Sequence, residues 1–277
     1  MCEGPNERGI SHLIEHMLFK GSRDFGVGEI ANTIEANGGN INAYTTFDHT
    51  VYYLSLASKF VDVGLHVISD AVFHSKIDPI ELGREKEVVV EEIHRSLDSP
   101  SSEVSRKLFA HLYQNTEVGR PIIGSEESVR EFSRELVYQY YKDWYHPQNM
   151  VLVVAGKLNK DIVQQVEKYF NSYQSTSNKK SLFYGPLRQA RKQPQVAYAL
   201  QSDHQLVRLN ISFAIPDKEH ETHPSLNIGS FILGGSEGAR LQRKIRDQLG
   251  LTASVYCSLY SPAFQGIFTI SAITSVD

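Results

Sequence analysis

Apolar and polar positions alternate along this chain with two distinct periods. Helical spacing, with apolar residues at i, i+3, i+4 and i+7, predicts helices over about 10–20, 27–37, 58–75, 79–96, 101–114, 126–142 and 160–172. Period-two or β-branched runs predict strands at 41–46, 50–56 and 149–156, the first two hinged at Phe47-Asp48-His49. A polar, unpatterned stretch begins near Asn171 and, with Pro and basic residues to about 194, reads as a linker. Beyond it, 196–202 and 207–214 read as strands, 223–233 and 237–249 as helices, and 252–260 and 265–274 as strands. The second half echoes the first, with strands flanking a helical layer. The pattern predicts an α+β chain of two domains.

The first helix carries unusual chemistry. His12-Leu13-Ile14-Glu15-His16 places two imidazoles four residues apart, on one helical face, where both can grip one metal ion. Glu15 stands beside them, within reach of a water. The order H-x-x-E-H is that of the inverzincin zinc proteases, the reverse of the commoner H-E-x-x-H. Catalytic zinc takes three protein ligands and keeps a fourth position for water, so one further ligand is needed. Two surface histidines on an amphipathic helix are the plainer alternative.

A second helix offers that ligand. Asp78-Pro79-Ile80-Glu81 has the form of a helix start, with Asp as N-cap, Pro at the first helical position and Glu three after the cap. In the helix that follows, Glu85, Val88, Val89 and Glu92 share a face. Carboxylates on a partly apolar stripe are costly to bury unless a positive group meets them. Glu92 can ligate a metal, and Glu85, two turns earlier, can orient a ligand histidine from behind. Glu91 and His94 face elsewhere on the wheel. A salt-bridged exposed helix is the alternative for this acidic run.

These residues, in this order, resemble the pitrilysin (M16) family of zinc peptidases, and within it the branch of the mitochondrial processing peptidase and its bacterial relatives. Gly9-Ile10-Ser11 before the motif and Met17-Leu18-Phe19-Lys20-Gly21-Ser22 after it carry the likeness further. So do Gly38-Gly39-Asn40-Ile41-Asn42-Ala43-Tyr44-Thr45, Gly119-Arg120-Pro121-Ile122-Ile123-Gly124 and Tyr145-His146-Pro147-Gln148-Asn149-Met150. Gly234-Gly235 with Arg240-Leu241 and Arg246 extends it into the second half. The resemblance implies two homologous α/β sandwich domains, each an antiparallel-rich sheet with a helical layer, the second incomplete. It implies an N-terminal zinc-binding peptidase domain over 1–174, a linker over 175–194 and a partial C-terminal domain over 195–277. Elements expected before Glu3 and after Asp277 are missing, so the chain reads as a fragment or a split subunit.

Roles follow residue by residue from the resemblance. His12, His16 and Glu92 are the expected ligands of Zn2+, Glu15 the general base and Glu85 the carboxylate behind the ligands. Asn42 and Ala43 lie where a peptide backbone is expected to dock, on a strand edge that an extended peptide can join. Taken alone, that stretch is an ordinary hairpin. Active members often pair an Arg with a Tyr seven residues on to hold the transition-state oxygen. Here Arg246 is followed seven residues later by Ala253, and Tyr256 falls on the opposite face of its strand. The implied activity is a zinc metalloendopeptidase acting on peptides or unfolded segments. The other reading is a catalytically impaired subunit of the same fold that binds peptide or scaffolds a partner.

Composition changes the picture little. A net charge of −4 gives no basic footprint for nucleic acid. No apolar run approaches the ~20 residues of a membrane span. Two cysteines, Cys2 and Cys257, make no disulfide framework and fit a reducing, cytoplasmic setting. A truncated second domain leaves apolar surface to cover, which favours a homodimer or a partner subunit.

Overall fold

Helix α1 (Ile10–Met17) is short but deeply set, because Ile10, Leu13, Ile14 and Met17 fall at i, i+3, i+4 and i+7 and are all buried. Its other face, carrying His12, Glu15 and His16, stays half-buried. The computed structural model describes residues 3–114, 116–171, 173 and 206–275. The expected linker at 175–194 and strand at 196–202 lie outside these residues. The chain divides into two compact units, 1–94 with 121–183 and 95–120 with 184–277.

In the first unit α1 is followed by α2 (Glu29–Ala36), the hairpin β1 (Asn40–Thr45) and β2 (Thr50–Ser55), and α3 (Val61–Phe73). The long α4 (Pro79–Asp98) begins here. Asp78 caps it as its sequence predicts, its Oδ1 accepting from the backbone N–H of Ile80 at 2.9 Å and of Glu81 at 3.1 Å. The buried stripe of α4 runs Leu82, Glu85, Val89, Val90 and Ile93, whereas Val88 is half exposed. This stripe packs with α1 and with Val137, Tyr140 and Tyr141 of α7 (Arg134–Trp144) into one core. A smaller cluster, Ile30, Ile34, Val67 and Ala71, joins α2 to α3.

In this unit two predicted elements differ. The helix expected over 126–142 is two, α6 (Glu126–Glu131) and α7, because Phe132 leaves helical geometry and Ser133 caps a new start by accepting from Leu136 N–H. The strand expected over 149–156 has β composition but no ladder partner among the described residues, and Val151 and Val153 are left largely exposed. Helix α8 (Ile162–Phe170) is the last described helix of this unit.

The second unit holds α5 (Pro100–Leu112), β3 (Leu206–Ile215), α9 (His223–Gly234), β4 (Ser254–Tyr260) and β5 (Gly266–Ser275). Its sheet is antiparallel in the order β3-β5-β4. Helix α9 lies against β4 so closely that a Cβ on Gly234 would stand 2.6 Å from Cys257 Sγ. The helix expected over 237–249 takes a π form over Gln242–Gln248, with Leu249 N–H bonding the Lys244 carbonyl five residues back. Both units mix helices with antiparallel strands, as the sequence predicts. No described helix is long and apolar enough to cross a membrane.

Candidate metal centre

The apolar face of α1 locks the helix into the core and so decides where its polar face points. Nε2 of His16 lies 3.7 Å from Glu92 Oε2, and Nε2 of His12 lies 3.9 Å from the same oxygen. The three ligand atoms fall within 4.8 Å of one another. Ligands about 2.0–2.1 Å from a tetrahedral zinc are spaced roughly 3.3–3.4 Å apart, so the two imidazole nitrogens and the Glu92 oxygen must draw closer together to close on an ion. Two imidazole nitrogens and one carboxylate oxygen are donors that zinc accepts, and the residues fit the ion.

Behind the candidate ligands, Glu85 is buried, with Oε1 3.0 Å from His16 Nδ1 and Oε2 2.8 Å from Lys20 Nζ. The carboxylate holds the His16 proton on Nδ1 and leaves the Nε2 lone pair facing Glu92. Burial pushes the Glu85 carboxyl up, but the hydrogen bonds from His16 and Lys20 together outweigh it and hold it below its ordinary value. His12 is less supported. Its Nδ1 is buried without a hydrogen-bond partner among the described residues. Burial, with the neighbouring His16 charge, depresses the His12 imidazole to about 4, so it stands neutral and able to ligate. On His16 burial acts downward too, yet the carboxylates of Glu85, Glu92 and Glu15 win and raise it.

Glu15 occupies the third position of this face. Thr45 of β1 donates its hydroxyl to Glu15 Oε2 and lies 3.3 Å from Thr50 Oγ1. Burial raises the Glu15 carboxyl, only partly offset by the Thr45 bond and by His16. Beside this group Tyr52 and Tyr145 share a 2.7 Å hydroxyl contact.

Asn42 and Ala43 lie in β1, opposite Tyr53 and Tyr52. Thr46 N–H bonds the His49 carbonyl at 2.8 Å, closing the hairpin with His49 in its turn. Because bonded and non-bonded pairs alternate from that point, the backbone groups of Ala43 face away from β2. The Asn42 side chain accepts from Ala43 N–H at 2.8 Å, and no described strand pairs with that edge.

Arg246 belongs to the second unit, where its guanidinium binds Glu237 and Asp247, each at 2.8 Å. Ala253 N–H bonds the Ile273 carbonyl just ahead of β4. Tyr256 is exposed on the face it shares with Ser258 and Tyr260. Glu91 is exposed as expected, while His94 meets Glu126 at 2.8 Å. Sequence reasoning missed Lys20 and Thr45. Lys20 lies beyond the end of α1 and meets Glu85 of α4, and nothing local to Lys20 or Thr45 points to Glu85 or Glu15.

Two family profiles cover the chain: Insulinase (Peptidase family M16) over 1–126, and Peptidase M16 inactive domain over 131–277. The chain is 34% identical to the uncharacterized zinc protease YmxG of Bacillus subtilis and 31% identical to an uncharacterized zinc protease of Rickettsia bellii. Each match takes in 99% of this chain and 66% of the relative. The chain thus spans just under two thirds of the length of these curated relatives. Among solved structures, a protease from Helicobacter pylori superposes with a TM-score of 0.90 at 21% identity, over 99% of this chain and 66% of that one. Pitrilysin superposes at 0.71 and 15%, over 99% and 30%. The HxxEH helix, the opposing acidic helix and the two profiles converge on one conclusion: this chain belongs to peptidase family M16.

Proposed function

We propose that the protein is a zinc metalloendopeptidase that hydrolyses peptides or unfolded segments. The observation that carries this reading is the meeting of His12 Nε2, His16 Nε2 and Glu92 Oε2, with Glu15 on the same face of α1. Zinc held by these three residues supplies a Lewis acid that lowers the pKa of a water and polarises a substrate carbonyl. Glu85 keeps the His16 ring in its ligating tautomer, and Lys20 keeps Glu85 ionised. Glu15, fixed through Oε2 by Thr45, has Oε1 available to take a proton from the attacking water and to pass it to the departing amine. The outward edge of β1 at Asn42 and Ala43 accepts an extended peptide as an added strand. Arg246 is assigned to the transition-state oxygen by family resemblance. The division into a peptidase domain over 1–174, a linker over 175–194 and a partial second domain over 195–277 rests on the same resemblance. A homodimer or partner subunit completes the reading, and the free buried thiol of Cys257 is in keeping with a cytoplasmic setting.

Ala253, standing where family members often carry Tyr, favours a second reading, an impaired subunit that binds peptide or scaffolds a partner. Zinc content and cleavage of a quenched fluorescent peptide library, compared between the protein and Glu15→Gln, separate the two. One zinc in both with turnover about 10²–10⁴-fold lower in the variant supports the peptidase. Zinc in both without cleavage in either supports the impaired subunit. Well-folded protein that binds no zinc overturns both metal-based roles.

A further inference from the structure

The first unit carries a second concavity, of about 400 Å³, whose lining shares no residue with the zinc site. We propose that it binds a small phosphate-bearing molecule. On α7, Arg134, Tyr138 and Lys142 are each four residues apart and present one face to the cavity. Where α3 ends, His74, Ser75 and Lys76 form the facing wall, with Arg23 beyond. Four cations therefore line a single cavity with no carboxylate among its lining residues, in a chain whose net charge is −4.

The cations are placed rather than loose. Arg134 donates through Nε to the Ile77 carbonyl at 3.0 Å and through Nη2 to the Lys76 carbonyl at 3.2 Å, and lies over the Tyr138 ring at 4.5 Å. Its Nη1 protons are left for a ligand. Lys142 Nζ stands 3.2 Å from the Tyr173 hydroxyl. Arg23 is held by Asp24 and Asp70. Lys76, Arg134 and Lys142 have no carboxylate within ion-pair distance among the described residues. Ser75 is buried, and its Oγ has no hydrogen-bond partner among the described residues, so a donor is aimed at nothing the protein supplies. The adjacent backbone is fixed, since Ser75 N–H donates to the Tyr141 hydroxyl, which donates to the Val72 carbonyl. Burial depresses the His74 imidazole first, and the charges of Arg23 and Lys142 press it down against the opposing carboxylates of Asp70, 3.3 Å away, and Asp24.

The charge selects the ligand class. A single carboxylate neutralises one of these cations, whereas a phosphate monoester carries about −1.5 to −2 at pH 7 and suits an arginine fork beside lysines. The volume lies within the roughly 300–1,000 Å³ of small-molecule sites.

Calorimetric titration with inorganic tripolyphosphate tests this on three proteins: the wild type, Lys76→Gln/Lys142→Gln, and Lys157→Gln/Lys160→Gln, whose two lysines are exposed outside the cavity. Heats from metal chelation are common to all three and cancel in the comparison. Saturable 1:1 binding that weakens about tenfold or more in the first variant and little in the second is the expected result. Absence of saturable binding to the wild type, or equal weakening in both variants, overturns the proposal. A measurement without variants guards against misfolding. In wild-type NMR spectra the ligand is expected to shift the His74 imidazole signals and leave those of His94 in place; unmoved His74 signals overturn the site.

Discussion

Glu85 is not one of the three candidate ligands, yet it ties the polar face of α1 to α4 through His16 on one oxygen and Lys20 on the other. Removing it frees the His16 ring and leaves the Lys20 charge without its partner. Glu85→Ala is expected to lower zinc affinity about 10–100-fold while one zinc still binds at saturation, as read by competition with a chelating dye. Glu92→Ala, which deletes a proposed ligand, is expected to lose stable zinc altogether. His12, Glu15 and His16 were legible because helix periodicity is a local property of five residues. The contributions of Lys20 and Thr45 required knowing what stands opposite them. A second residue-level test uses pH. Hydrogen bonds from Arg23, and then from His66, hold Asp24 down from 3.8 to about 2. For a depressed carboxyl the unfolded chain binds the proton first, so the stabilisation is complete above 3.8 and fades as pH falls toward about 2. Asp24→Asn is expected to flatten that part of the acid limb in denaturation curves taken at successive pH values, with a smaller difference at high salt.

The placement of α1 depends on two glycines that meet ahead of it. Gly9 has φ +93° and Gly124 φ +82°, and a Cβ on Gly9 would stand 2.6 Å from the Ile123 carbonyl oxygen. Each residue stretch resembles the family in the sequence, but only the fold brings them into contact. Gly9→Ala combines a disfavoured backbone conformation with a clash against main chain, which cannot swing aside. It is expected to cost at least about 2 kcal/mol in urea unfolding and to weaken zinc binding with it. Gly238→Ala, where a Cβ meets nothing within 4 Å, serves as the control and is expected to stay within about 0.5 kcal/mol. Elements with local signals were read correctly, among them α4 with its Asp78 cap and the hairpin with His49 in its turn. The break at Ser133 had a local signal too, a capping serine ahead of Glu135, which the apolar period across 126–142 obscured. The stretch 149–156 pairs with no strand among the described residues, since a helix satisfies its own backbone whereas a strand requires a neighbour.

At the scale of the molecule, all three candidate ligands and Glu15 lie within residues 1–94, in the first compact unit. Metal that binds only the folded form stabilises it by RT ln(1 + [Zn]/Kd), about 2.7 kcal/mol when free zinc is 100-fold above Kd. Chelation is therefore expected to lower the calorimetric midpoint of the transition that unfolds this unit, and added zinc to restore it. His16→Ala is expected to remove the response to both. Arg246 belongs to the second unit and already meets two carboxylates through Nε and Nη2. The sequence by itself determined the family, the α+β class, the helix that carries the two imidazoles and the acidic helix that answers it. Each rests on spacing within one element, or on motifs whose residue types leave little choice. Tertiary structure alone decided that Glu92 reaches the imidazoles, that Lys20 and Thr45 hold the two key carboxylates, and that four cations border a cavity with no acid among its lining. Those are meetings of side chains far apart in the chain, and packing rather than periodicity brings them together.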